Sequence, residues 1–146
     1  MNSSAAGRAV VDDTMAASAL INSRRRPGEP NPFEKLIAGR RVVISFATVT
    51  ELRCRAINGN WGELRQRSLE RNLRTFVVVQ PDDKLMSTCA EFRSACERRG
   101  HPLGQKLHEA DRWIAVTAIA GGLDLVSDDK AFRSAPGLSL LSTRTA

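Results

Sequence analysis

Short apolar, β-branched runs alternate along this chain with longer stretches of helical period. Val10-Val11 opens the series and ends at Asp12-Asp13, the pattern of a buried first strand. Thr14 reads as the cap of a helix over 15–22. A loop over 23–32 holds Arg24, Arg25 and Arg26, then Pro27, Gly28, Pro30 and Pro32. A short helix over 33–38 and a β-branched strand over 41–46 follow. Helices are expected over 48–56 and 62–73, then a strand over 75–79 stopped by Pro81. In the helix over 82–99, Leu85, Met86, Cys89, Phe92 and Cys96 recur at helical spacing, and Gly100 ends it. After a loop over 102–105, a helix over 109–120 stops at Gly121-Gly122. Strands over 123–126 and 138–141 complete the series, with no internal repeat. Residues 1–9 read as a flexible tail and 10–146 as one domain.

Strands alternating with helices imply an α/β fold, a three-layer sandwich. Its central sheet is mainly parallel, of about five strands, with helices on both faces. Such sheets bind ligands at the carboxyl edge of their strands. Asp13, Glu51, Asp111 and Asp129 all fall on that edge, as strand ends or first-turn helix residues.

Each acid has a bland alternative. Thr48-Val49-Thr50-Glu51 matches a capping box. Asp111 suits a helix first turn, and Asp128-Asp129 suits a turn. However, Ile114, Ala115, Ala118 and Ile119 follow Asp111 at helical spacing, so Asp111 lies on the inward stripe. At an effective dielectric of about 20, two carboxylates ~4 Å apart repel by roughly 4 kcal/mol, so the cluster calls for a cation. Oxygen donors without His or Cys beside them suit Mg²⁺ or Mn²⁺. His101 and His108 read as loop and surface residues, and Glu109 points off to another side of its helix.

Charge strengthens the case. The 146 residues carry a formal net charge of +6, mostly from arginine, which favours a polyanionic partner. Arg24 to Arg26 and Arg112 are the candidate phosphate contacts, whereas Arg65, Arg67, Arg71 and Arg74 read as a solvated helix face. Cys54, Cys89 and Cys96 lack metal-ligand spacing and read as reduced thiols, which suits a cytoplasmic protein. The first eight residues have no signal-peptide core, and no apolar run is long enough to span a membrane.

The chain resembles PIN-domain endoribonucleases, specifically the VapC-type toxins of bacterial toxin–antitoxin pairs. Four motifs carry the resemblance: Val10-Val11-Asp12-Asp13-Thr14, Ser45 to Leu52, Ala110-Asp111-Arg112-Trp113-Ile114-Ala115, and Leu125-Val126-Ser127-Asp128-Asp129-Lys130-Ala131-Phe132. It selects Asp13 over Asp12 and Asp129 over Asp128. Met15 departs from the small polar residue usual there, and Ser127 replaces the usual Thr while keeping the hydroxyl.

The resemblance implies that Asp13, Glu51, Asp111 and Asp129 hold Mg²⁺ or Mn²⁺ and that activated water cleaves RNA, in a tRNA or rRNA loop. It also implies a VapB-type antitoxin and a homodimer, to which Trp113, Val116 and Ala120 would contribute. Three alternatives stay open: a PIN nuclease of RNA processing outside a toxin pair, a non-catalytic RNA-binding module, and a phospho-receiver domain. The receiver fits poorly, because Asp82 begins a helix and Lys130 follows an acidic pair.

Overall fold

In a computed structural model of the chain, residues 7–144 are described. Five strands, β1 (Val10–Asp12), β2 (Val42–Ser45), β3 (Val77–Val79), β4 (Asp124–Val126) and β5 (Leu140–Leu141), form one sheet in the order β3-β2-β1-β4-β5. Every pairing is parallel. Six helices cover it: α1 (Thr14–Arg25), α2 (Glu34–Ile37), α3 (Phe46–Asn58), α4 (Glu63–Leu73), α5 (Asp83–Arg99) and α6 (Glu109–Gly121). The expected α/β sandwich, with its mainly parallel five-stranded sheet, is what forms.

Strand residues alternate between two cores. Val10, Ile44 and Val126 pack with α1 to α4, while Val11, Val43 and Leu125 pack with α5 and α6. Burial on both faces explains why the strands read as unbroken apolar runs. The chain winds from β1 outward through β2 and β3, then returns to build β4 and β5 on the other side of β1. The reversal between β1 and β4 is the switch point at which such sheets open a crevice at their carboxyl ends. A phospho-receiver has the order 2-1-3-4-5, so the strand order here excludes that alternative.

Several local expectations are corrected. Asp13, not Thr14, caps α1, its carboxylate accepting from the Ala16 N–H at 2.8 Å. The Thr14 hydroxyl is instead turned to Thr48 Oγ1, 3.2 Å away. The α1 helix runs to Arg25, beyond the expected 22, because Arg24 and Arg25 suit a helix C-terminus and Pro27 comes only after it. Ser45 caps α3, which therefore starts at Phe46. Thr48 is thus a buried helical residue, and the capping-box explanation of Glu51 fails. Short 3₁₀ turns, Pro102–Gly104 and Lys106–His108, replace the loop before α6.

Gly100 and Gly122 end α5 and α6 in the left-handed conformation, at φ 66° and 65°. Residues 1–6 of the expected flexible tail lie outside the described residues, while Arg8 donates to the Gly122 carbonyl and Ala9 packs on the second core. Among the described residues, no helix is long and apolar enough to cross a membrane.

Candidate active site

A cavity of about 130 Å³ opens at the switch point, lined by Asp13, Glu51, Asp111 and Asp129 together with Thr14, Met15, Arg55, Ile114 and Phe132. All four acids singled out from the sequence reach it. They arrive from separate elements: Asp13 from the end of β1, Glu51 from α3, Asp111 from α6, and Asp129 from the segment after β4.

Asp13 is the most enclosed of the four, at 4% exposure. One of its oxygens accepts from Ala16 N, and the other accepts from the hydroxyl of buried Ser127. Ser127 Oγ in turn accepts from the Asp129 N–H at 3.0 Å. Burial raises the pKa of Asp13; the hydrogen bonds from Ser127 and Ala16 work against the rise, and the charges of Asp129 and Asp111 add to it. Glu51 stands nearer the mouth. Burial raises its pKa, Arg55 opposes this from 3.9 Å, and Asp111 reinforces it. The Thr14 hydroxyl is shared between Thr48 and Glu51. Asp111 Oδ2 lies 2.9 Å from His108 Nδ1.

Asp128 turns away from the cavity and ties down the C-terminal segment. Its carboxylate accepts from Ser142 Oγ and Thr143 N, each at 2.8 Å. Burial raises its pKa, but bonds from Thr143 and Ser142 and the charge of Arg144 outweigh that and leave it lowered. Asp12 points behind the rim. It is 0% exposed and neither of its oxygens has a partner. Burial, with Asp13 beside it, pushes its pKa up to about 7.

Two neighbours of the acids escaped the sequence reading. Arg55 stands four residues after Glu51, and His108 three before Asp111, spacings that place each pair on one helical face. Arg112, expected as a phosphate contact, is turned into the protein instead. It is buried, and its guanidinium donates to the carbonyls of Leu103 (3.0 Å) and Gln105. Trp113 packs edge-on against Phe46, with ring centroids 5.3 Å apart. Val116 is fully buried in the chain's own core, which removes it from the surface suggested for a homodimer.

The donor set is all oxygen, and the like charges that press on Asp13 and Glu51 are what a cation would relieve. Among the described residues, no three His, Cys, Asp or Glu side chains stand close enough to chelate an ion directly. An all-oxygen set is the donor chemistry that hard ions such as Mg²⁺ and Mn²⁺ favour. A larger groove of about 630 Å³ lies between α3 and α4, but its acids, Glu63 and Glu70, are already paired with Arg67 and Arg53.

The PIN domain family model matches residues 10–138. The chain belongs to the PIN domain family. This PIN domain has a nuclease fold, and all four of its motif acids lie within the matched span. Among solved structures it is similar to a chain of VapBC2 from Rickettsia felis, crystallised with a DNA fragment from their promoter. The two share 23% identity with a TM-score of 0.72, over 91% of this chain and 97% of that one. VapBC-1 from nontypeable Haemophilus influenzae aligns at 20% identity and TM-score 0.71, over 94% and 99%. VapBC-5 from Mycobacterium tuberculosis aligns at 19% and 0.64, over 93% and 98%. No curated protein sequence matches the chain.

Proposed function

We propose that this PIN domain is a metal-dependent endoribonuclease, the toxin of a VapBC-type pair. The observation that carries the reading is the convergence of Asp13, Glu51, Asp111 and Asp129 on one cavity at the switch point of the sheet. These four residues are the proposed holders of Mg²⁺ or Mn²⁺.

The protein's own contribution is positional. Capping α1 and accepting from Ser127 immobilise Asp13 in a single orientation. Ser127 also fixes the backbone that presents Asp129. His108 orients Asp111. Among the described residues Arg55 is the one cation lining the cavity, and it would meet a non-bridging phosphate oxygen as charge develops on it. An ion bound among these acids supplies charge neutralisation and lowers the pKa of water. The basic net charge suits an RNA substrate, and a single-stranded tRNA or rRNA loop is the form in which bases are accessible.

The antitoxin is proposed on the strength of the VapBC complexes sharing this fold. A VapB-type partner presenting a basic side chain to the cavity would satisfy the same carboxylates that a metal ion does. A homodimer within that complex is the accompanying expectation, with Trp113 and Ala120 remaining as partly buried candidates for contact. The biological test is expression of the protein alone in a bacterial host. Growth arrest relieved by the product of a small neighbouring gene supports the toxin reading. A nuclease without toxicity or such a neighbour would instead point to RNA processing.

A further inference from the structure

The C-terminus of α1 and the outer face of α4 bring arginines together without acids to match them. Arg24 is held in place, donating to Asn72 Oδ1 (3.2 Å) and Thr75 Oγ1 (2.8 Å) and lying over the Phe76 ring. Arg25 ends α1 and Arg26 caps it, and the charges of both bear on Arg65. Arg65 is stacked on Trp61, its guanidinium carbon 3.6 Å from the ring centroid. Its Nε is enclosed and has no acceptor.

No acid forms an ion pair with Arg25, Arg26 or Arg65 among the described residues. The nearest acids in sequence are otherwise disposed: Glu63 is paired with Arg67, and Glu29 makes no ion pair. Of the other arginines of α3 and α4, Arg53, Arg55 and Arg67 have carboxylate partners, and among the described residues Arg71 has none. Burial, together with the charges of Arg25 and Arg26, lowers the pKa of Arg65. Like charges gathered around an unpaired donor are stabilised by an anion. Guanidinium groups preferentially take phosphate, and stacking on Trp61 limits the orientational freedom Arg65 would lose on binding.

Position then selects the kind of anion. Asp13 caps one end of α1 and Arg25 ends the other, about 18 Å away at 1.5 Å per residue. A free phosphate or a mononucleotide cannot reach both, whereas an extended polyanion can. We propose that Arg25, Arg26 and the Trp61-stacked Arg65 form a second binding site for the RNA phosphodiester backbone, remote from the acidic cavity. The site rests on the ribonuclease reading for the identity of its ligand. It holds long substrates in place and takes no part in cleavage.

The test compares the triple variant Arg25→Gln/Arg26→Gln/Arg65→Gln with the parent, both carrying Asp111→Asn so that RNA survives the measurement. The double variant Arg25→Gln/Arg26→Gln leaves the Arg65–Trp61 stack intact and covers the case in which the triple variant misfolds. The probe is a labelled single-stranded RNA titrated at several salt concentrations. Removing a phosphate contact lowers the slope of log K against log salt by roughly 0.7, so the triple variant should lose about 2 and the double about 1.4. With Asp111 restored, KM for the long RNA should rise while kcat, and cleavage of a labelled trinucleotide, stay unchanged. Lysine at positions 25 and 26 should recover the slope.

An unchanged slope in a folded variant overturns the proposal. So does loss of binding to an acidic protein partner with RNA binding intact. A wild-type protein, with Asp111 in place, that binds RNA with the full slope but never cuts it would remove the nuclease reading and leave this site standing. A parent that binds no RNA removes both.

Discussion

The Ser127 hydroxyl donates to the carboxylate of Asp13, joining the ends of β1 and β4 across 114 positions of the chain. The same oxygen accepts from the Asp129 N–H, so one side chain sets the relative placement of two of the four acids. Ser127 is fully buried, and its loss would leave an Asp13 oxygen enclosed without a donor. Ser127→Ala is expected to lower RNA cleavage roughly 10- to 100-fold, as removal of an orienting partner does at metal sites. It should cost about 1–3 kcal/mol of stability. Ser127→Thr should restore both. Cleavage rates beside urea unfolding curves for the three proteins check this.

Asp12 makes the stability of the metal-free protein depend on pH. Its folded pKa of about 7 lies above the ordinary 3.8, so the folded state keeps this proton longer than the unfolded chain does. The stability this group contributes is fully present below the unfolded value. It falls as pH rises toward the folded value and stays reduced above it. A shift of about three units corresponds to a loss on the order of 4 kcal/mol. Asp12→Asn should flatten that profile, stabilise the protein at about pH 8 more than at about pH 5, and leave cleavage largely intact. Urea unfolding in EDTA at the two pH values measures it. A variant destabilised equally at both would show that the carboxylate is solvated or paired.

Arg112 is predicted to matter for folding and not for RNA. Its two bonds to backbone carbonyls hold the turn that leads into α6 and so place Asp111. Arg112→Met should cost about 3 kcal/mol, since each hydrogen bond to a charged group contributes about 1.5–3 kcal/mol. Under conditions where the variant is folded, the salt slope of RNA binding should be that of the parent. A lower slope would place the guanidinium on the substrate.

The adjacent acids Asp128 and Asp129 should separate cleanly. Asp128→Ala removes the anchor of Ser142 and Thr143 and should cost about 1–2 kcal/mol while cleavage persists. Asp129→Asn should abolish cleavage with little change in stability, because an Asn can still accept from the Ala131 N–H that Asp129 bonds now. Thermal melts and cleavage assays on the two variants decide the register.

The alternation of strands with helices, the two-sided burial of a mainly parallel sheet and the convergence of the four acids were legible in the sequence, because each depends on periodicity and strand ends; the order of the strands within the sheet was not. The helix caps were less so. Thr14 and Thr48 are good caps in isolation, but their hydroxyls face one another across α1 and α3, leaving Asp13 and Ser45 to cap. No local pattern announces that pairing. Arg112 misled for a related reason: it neighbours Asp111 in sequence but lies ~100° round the helix, so the cavity and the Leu103 carbonyl take different sides of α6. The pairing of Arg55 with Glu51 follows from helical spacing and was available to inspection.

The central claim is that the clustered acids make this PIN domain a metal-dependent ribonuclease. Its most direct test is cleavage of total small and ribosomal RNA by purified, antitoxin-free protein in Mg²⁺, Mn²⁺ or EDTA, with Asp111→Asn beside the wild type. A discrete cut that needs the ion and disappears in the folded variant is expected. Intact RNA under every metal from a folded wild-type protein, or a cut that survives both EDTA and Asp111→Asn, would contradict it.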